Sequence, residues 1–284
     1  MSDAILWLDL RRRSFKILEV IFLIKKVIRS GLGNQMFQYA AGRALSLRHN
    51  TSLILDIRNA KDGTYQFQLC HFNIAPPPPK IDSINFSPYK EKITFTGDPD
   101  LEILKLPDNT HLDGYSERVI YFQDFEKEIR QDFQIKDSIS EKSREWALKI
   151  QNDPMPISLH ARLGDYPQSY IVKLDYYEHC LAILREIFPQ MSLYVFSGDL
   201  EWCRQNFHFG IPTYFVDAND GAHGWEDMFL IGLCRHHIAS SGTFSWWSVF
   251  LDNRPGTLTF YPRNNSIFQL YSPEYALRCI GIDK

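Results

Sequence analysis

Apolar positions along this chain fall into two spacings. Short β-branched runs in "KKVIRS", "TSLILDI", "MPISLHA", "MSLYVFS" and "TLTFYP" predict strands, and "TYFV" and "HIASS" fit the same class. Met36, Phe37, Ala40, Ala41, Ala44 and Leu45 follow helical spacing, which predicts a helix from about Asn34 to Arg48 with one buried stripe. Strand, glycine turn, helix and strand make a βαβ start, hence a parallel sheet. Helices are predicted in "SEKSREWALKIQND", "LDYYEHCLAILREIF", "EWCRQNF", "EDMFLIGLCRH" and "TFSWWSVFLDN". "HLDGYSERVIYFQDFEKEIRQDFQ" predicts a turn and then a helix, while "IAPPPPK" can only be a stiff extended connector. Two βα series part near residue 150. The expected organisation is an extension over 1–26, an N-terminal α/β domain over 27–150 and a C-terminal α/β domain over 151–284. Ligands in such sheets bind beyond the C-terminal ends of the strands.

Composition narrows the function classes. A chain of 284 residues suffices for one large or two ordinary domains, and a net charge of −3 argues against a nucleic-acid-coating protein. Cys70, Cys180, Cys203, Cys234 and Cys279 are widely spaced and form no CxxC pair, so neither a disulfide framework nor a zinc site is expected and a reducing compartment is. "RRRSFKILEVIFLIKK" is broken by Glu19 and is far shorter than the roughly 20 apolar residues of a spanning helix. Ile17, Leu18, Ile21 and Phe22 leave two readings open: an extension packed on the protein, or a basic amphipathic helix at a membrane surface. The expected location is the cytoplasm, with or without peripheral contact on the inner face of the membrane.

Four stretches carry candidate chemistry. Gly31-Leu32-Gly33 precedes a helix and offers backbone N–H groups to an anion, or simply lets the helix pack, with Asn34 as its cap. It is half of a dinucleotide fingerprint, but Met36 stands at the closing glycine and only Asp56 suits a ribose contact. In "SLHARLGDY", His160 and Arg162 alternate beyond a strand end; Arg162 suits a diphosphate, or pairs with Asp165 to brace the loop. "VFSGD" brings Ser197 and Asp199 to another strand end, where a carboxylate can read guanine or ribose, or form a turn. Ser241-Gly242-Thr243-Phe244-Ser245 opens a helix and is a second anion site, preceded by Glu226 and Asp227. Trp246 and Trp247 are expected in the core, His236 and His237 as structural residues, and no spacing suggests a metal site.

"SGLGNQMFQYA", "HARLGDY", "FSGD" and "SSGTFSWW", in this order, resemble glycosyltransferase family 11, the α-1,2-fucosyltransferases, in their bacterial form. "FQLCHFNI" and "LDGYSERVIYF" add to the resemblance. It implies a GT-B-like α/β fold with two Rossmann-like domains facing a cleft. It implies inverting transfer of L-fucose from GDP-β-L-fucose to the 2-hydroxyl of a terminal galactose in a glycan acceptor, without a cofactor or metal. Gly31, Gly33 and Asn34 would face the donor, and Arg162 would neutralise the leaving diphosphate. Thr243, Phe244 and Ser245 would hold phosphate oxygens, while Asp227 or Asp199, with Ser197, would read the nucleoside. Asp165, Glu226 and His160 are candidates for the base. Leu163 replaces a second arginine of the family pattern, with Arg235 or Lys173 as substitutes, and a catalytically impaired nucleotide-sugar or glycan-binding protein is the alternative reading.

Overall fold

The computed structural model describes residues 22–60, 66–76, 84–92, 98–163, 172–263 and 279–283. The first series runs β1 (Leu23–Val27), α1 (Leu32–Arg48), β2 (Ser52–Asp56), β3 (Ser87–Lys90), β4 (Thr110–Asp113), α2 (Glu126–Asp132) and α3 (Glu141–Asn152). The second runs β5 (Pro156–Ala161), α4 (Leu174–Ile187), β6 (Ser192–Ser197), α5 (Leu200–Asn206), β7 (Thr213–Phe215), α6 (Gly224–Leu233), β8 (His236–Ile238), α7 (Thr243–Phe250), β9 (Thr259–Pro262) and β10 (Cys279–Ile282). One sheet has the order β2-β1-β4-β3 and the other β10-β9-β8-β5-β6-β7. Every strand pair within them is parallel, so each sheet gathers its C-terminal strand ends along one rim.

The predicted βα alternation is present, with several corrections. β1 starts at Leu23, inside the stretch assigned to the extension, because Leu23 and Ile24 are fully buried in the sheet. Residues 1–21, the membrane-facing or packed segment, lie outside the described residues, as does most of the proline run. No helix of the described residues is long and apolar enough to cross a membrane. β3 and β4 were not expected: "SPYK" and "THLD" are too short and polar to show a strand period. After β4 the chain makes single 3₁₀ turns at Val119–Tyr121 and Gln123–Phe125 before α2, so the long helix predicted there shrinks to two turns. The tail is not wholly irregular, since β10 adds an edge strand beside β9.

α1 departs most from its predicted form. It begins at Leu32, is capped by Gly31 rather than Asn34, and buries residues all round instead of along one stripe. The cause is α7, which packs on α1 from the other half of the sequence. Phe37 lies 4.8 Å from the Trp246 ring and 5.0 Å from Trp247, and Phe122 stacks on Trp247 at 5.5 Å. Trp246 and Trp247 are fully buried, the core role expected of them. Burying a large side chain such as Phe37 is worth roughly 1.5–3 kcal/mol, so this aromatic cluster binds the two series tightly.

A second core lies between the six-stranded sheet and α4 and α5. Across β5 and β8, the Ser158 hydroxyl lies 2.7 Å from His237 Nδ1, and His237 Nε2 lies 2.9 Å from Asp252. This trio is buried, and Arg254 completes it with two bonds to the Asp252 carboxylate. His236 accepts the Leu258 N–H and stacks on Phe188. Both histidines are structural, as expected.

Candidate active site

The turns after β1, β5 and β8 meet at one point. A Cβ on Gly33 would lie 2.4 Å from the Phe244 nitrogen and 2.5 Å from the Thr243 carbonyl carbon, so only glycine allows α1 and α7 to start this close together. Gly242 has φ +114°, a conformation that also requires glycine. Thr243 Oγ1 donates to Asn34 Oδ1 at 2.7 Å, a bond that does not use the Asn34 NH₂ group. Trp246 is the first N–H of α7 to close an intrahelical bond, onto Gly242. The N–H groups of Thr243, Phe244 and Ser245 therefore have no acceptor within the helix, and the positive end of its dipole lies there.

A cavity of about 130 Å³ opens at this junction, lined by Asn34, His160, Arg162, Glu117 and the Ser241–Phe244 turn. His160 Nδ1 contacts Ser245 Oγ, which also accepts the Ser240 N–H at 3.0 Å. The Ser245 hydroxyl, with one proton and two lone pairs, can donate to Nδ1, which leaves the imidazole proton on Nε2, or accept from an Nδ1 proton as well as from the Ser240 N–H. Burial, aided by the Arg162 charge, pulls the His160 pKa down to about 3, so the ring is neutral near pH 7. It can donate to an oxygen but is a poor base. Arg162 supplies a permanent positive charge beside the α7 N–H groups, and its own backbone N–H is tied to Ser240 Oγ.

A second cavity of about 380 Å³ adjoins it over the C-terminal ends of β1, β4 and β3. Glu91, Asp98, Tyr115 and Arg118 line it together with Asn34 and Glu117. Its wall is held from below by Lys26, which is fully buried and donates to the Gly114 carbonyl at 2.7 Å and Ser116 Oγ at 3.0 Å. Ser30 and Ser116 both have positive φ at this rim, local strain of the kind that collects at functional sites.

The sequence-derived candidates divide accordingly. Asn34, His160, Arg162, Thr243 and Phe244 come together at the smaller cavity. Gly31 and Gly33 do not line it; Gly31 caps α1 and Gly33 serves the close approach of the helices. Ser245 is buried and its hydroxyl contacts His160 rather than lining the cavity. The Thr243 hydroxyl is likewise spent on Asn34. Ser197 and Asp199 lie at the neighbouring β6 end, where Ser197 accepts the Asp199 N–H and Asp199 caps α5 through the Trp202 N–H. Asp227 sits on α6, accepts from Asn219, and burial raises its pKa to about 7; it lines neither cavity. Glu226 is unsuited as a base because it is buried and accepts both the Ser140 hydroxyl and N–H at the start of α3. Asp165 lies outside the described residues. Leu163 packs against the second core, and Arg235 is bonded to Pro156 at the opposite end of β5, too far round the sheet to replace an arginine there. Lys173 caps α4, on the site's side of the sheet, and is exposed. Asp56 is held by Arg58, Lys25 and His111, which removes the support for a dinucleotide ribose contact. Glu117 was missed: it lies in "LDGYSERVIYF", a segment that adds to the resemblance, but no spacing to another polar residue singles it out there. Among the described residues no group of three His, Cys, Asp or Glu side chains is placed to hold a metal ion.

Comparison with known proteins decides the family. The model of "Glycosyl transferase family 11" matches residues 18–276. The chain belongs to glycosyl transferase family 11. A relative in the family's range, the α-1,2-colitosyltransferase of Escherichia coli, is 28% identical over 274 residues, covering 83% of this chain and 89% of its own. The galactoside α-(1,2)-fucosyltransferase 1 of Saimiri sciureus is 26% identical, covering 86% of this chain and 70% of its own. The crystal structure of fucosyltransferase NodZ from Bradyrhizobium shares the fold with a TM-score of 0.57 at 15% identity, over 81% of this chain and 93% of that one. NodZ is an α-1,6-fucosyltransferase, also crystallised and soaked with GDP-fucose. This family 11 chain is thus a GT-B-like glycosyltransferase, with the two parallel sheets meeting at the cavities described.

Proposed function

We propose that this enzyme transfers L-fucose from GDP-β-L-fucose to the 2-hydroxyl of a terminal galactose, with inversion at the transferred carbon. The observation that carries this reading is the smaller cavity, where Arg162 and the first-turn N–H groups of α7 face one space. A diphosphate leaving group meets one full positive charge from Arg162 and about half a charge from the helix end there, the electrostatic help that a departing nucleotide needs. His160, held neutral, would donate a further hydrogen bond from Nε2 in the tautomer that accepts the Ser245 hydroxyl, without adding charge. Asn34 sits at the mouth between donor and acceptor spaces and would orient the sugar through its NH₂ group. The larger cavity, rimmed by the exposed Tyr115 ring and by Glu91 and Asp98, suits a galactoside: an aromatic face for the sugar's C–H side and carboxylates for its hydroxyls.

The α-1,2-fucosyl and α-1,2-colitosyl activities named for the relatives support this donor class and linkage. The colitosyltransferase favours a second reading in which the donor is GDP-colitose and the acceptor is unchanged. The test is turnover of the purified chain with GDP-fucose, GDP-colitose, GDP-mannose or UDP-galactose, each with lactose or N-acetyllactosamine, with and without EDTA. Product mass by mass spectrometry reads the donor. Transfer from GDP-fucose supports the first reading and transfer from GDP-colitose alone the second; transfer from UDP-galactose alone, or binding of no GDP-sugar, overturns both.

A further inference from the structure

We propose that the Glu117 carboxylate is the base that takes the proton from the attacking acceptor hydroxyl. The inference rests on the transferase reading above and assigns a role in it to a residue that the sequence analysis did not single out.

Position is the first argument. The two cavities have just two lining residues in common, Asn34 and Glu117. If the donor's diphosphate lies by Arg162 and the acceptor fills the larger space, the reacting carbon and hydroxyl meet where these two side chains stand. An amide cannot take a proton, and a carboxylate can.

Elimination among the described residues, which do not include Asp165, is the second. Glu91 is engaged by the Ser116 N–H at 2.7 Å, and Asp98 lines only the larger cavity, not the smaller one. His160 faces the donor side as a neutral donor, and Glu226 is bound into the start of α3. By contrast, no described residue donates a hydrogen bond to the Glu117 carboxylate.

The third argument is how firmly the residue is held. Glu117 follows Ser116, which has φ +54° and is fixed by Lys26 below. Its own carbonyl accepts from the Arg118 guanidinium at 2.8 Å. The backbone is therefore anchored on both sides, while the side chain remains for the reaction. Burial pushes the Glu117 carboxyl above the usual glutamate range, with Arg118 opposing and Glu91 adding to the rise. That direction makes it a stronger base than a solvated glutamate.

The step balances without a further reactant. The acceptor oxygen forms a bond to the anomeric carbon, while the bond from that carbon to the phosphate oxygen breaks. The bonding pair leaves on GDP, beside Arg162. The acceptor proton passes to Glu117, which becomes neutral as the diphosphate gains its charge.

The experiment compares the wild-type enzyme with Glu117→Gln and Glu117→Asp, using GDP-fucose and GDP-colitose against a panel of galactose-terminated glycans. General-base removal costs about 10²–10⁴-fold. The expected result for Glu117→Gln is a fall in kcat of at least about 10²-fold, with the GDP dissociation constant and thermal midpoint close to wild type and the acid limb of the kcat–pH profile abolished. Glu117→Asp should recover part of the rate with that limb retained. A Glu117→Gln enzyme that keeps more than a tenth of kcat overturns the assignment and leaves the transferase reading standing. Equal losses in both variants, with a shifted GDP affinity or midpoint, also overturn it, because they mark a structural role. A wild-type chain that transfers neither sugar overturns the functional reading itself, and the assignment with it.

Discussion

Replacing Gly33 with alanine probes the junction on which the site depends. The added Cβ would stand 2.4 Å from the Phe244 nitrogen, 2.5 Å from the Thr243 carbonyl carbon and 2.7 Å from Thr243 Oγ1. Two of these are backbone atoms at the start of a helix whose tryptophans are locked in the aromatic core, so no side-chain rotation relieves the overlap. α1 and α7 must instead part by roughly half an ångström to one ångström. Overpacking of this kind costs about 1–3 kcal/mol. The Asn34–Thr243 hydrogen bond lies in the path of the shift, and its loss adds about 0.5–1.5 kcal/mol. At roughly 2–4 °C per kcal/mol for chains of 150–250 residues, the midpoint should fall by about 3–18 °C. A displacement near 1 Å at a reacting site can also cost about 10²-fold in rate, so kcat/KM should fall by more than stability alone implies at temperatures where the variant is folded. Thermal unfolding and initial rates at 20 °C check both. A Gly33→Ala enzyme with wild-type midpoint and wild-type kcat/KM would refute the claim that the glycine turn exists to bring the two helix starts together.

Other outcomes follow from the same structure. Arg162→Ala should lower kcat by about 10²–10³-fold with little change in thermal midpoint, measured with the donor that the wild-type enzyme uses, since one donor to a developing charge is lost. Burial pulls the Lys26 pKa from its ordinary 10.5 to about 7, so between those values the unfolded chain holds more protons than the folded one. Stability from this group must then rise with pH over that window: urea unfolding of wild type relative to Lys26→Met should improve by up to about 1 kcal/mol per pH unit between pH 7 and 10, and a flat difference would rule out the lowered pKa. Asp252→Ala strands His237 and Arg254 without their shared carboxylate and should cost about 3–5 kcal/mol in denaturant unfolding.

Much of the architecture was legible because strands and helices of the second series are long and strongly periodic. β5 and β6 read as strands from "ISLHA" and "SLYVFS", and α4 from its spaced Tyr176, Tyr177, Cys180, Leu181 and Leu184. β3 and β4 were hidden, since each is four residues long and too polar to show a strand period. α1 misled for a different reason. Periodicity reports one buried face, whereas α7 arrives from far along the chain to cover the other. The same long-range contact explains the site. Arg162 and Asn34 were legible as strand-end and helix-start residues, but only folding shows that Thr243 reaches Asn34 and that Ser245 is consumed by His160. Glu117 could not be found from the sequence, because its significance lies in belonging to two cavities at once.

A crystal structure of the enzyme with GDP tests the central claim most directly. The account predicts the diphosphate in the smaller cavity, within hydrogen-bonding reach of Arg162 and of the N–H groups of Thr243 and Phe244. GDP bound with its diphosphate remote from Arg162, for instance in the apolar groove between Phe72 and Leu251, would contradict it.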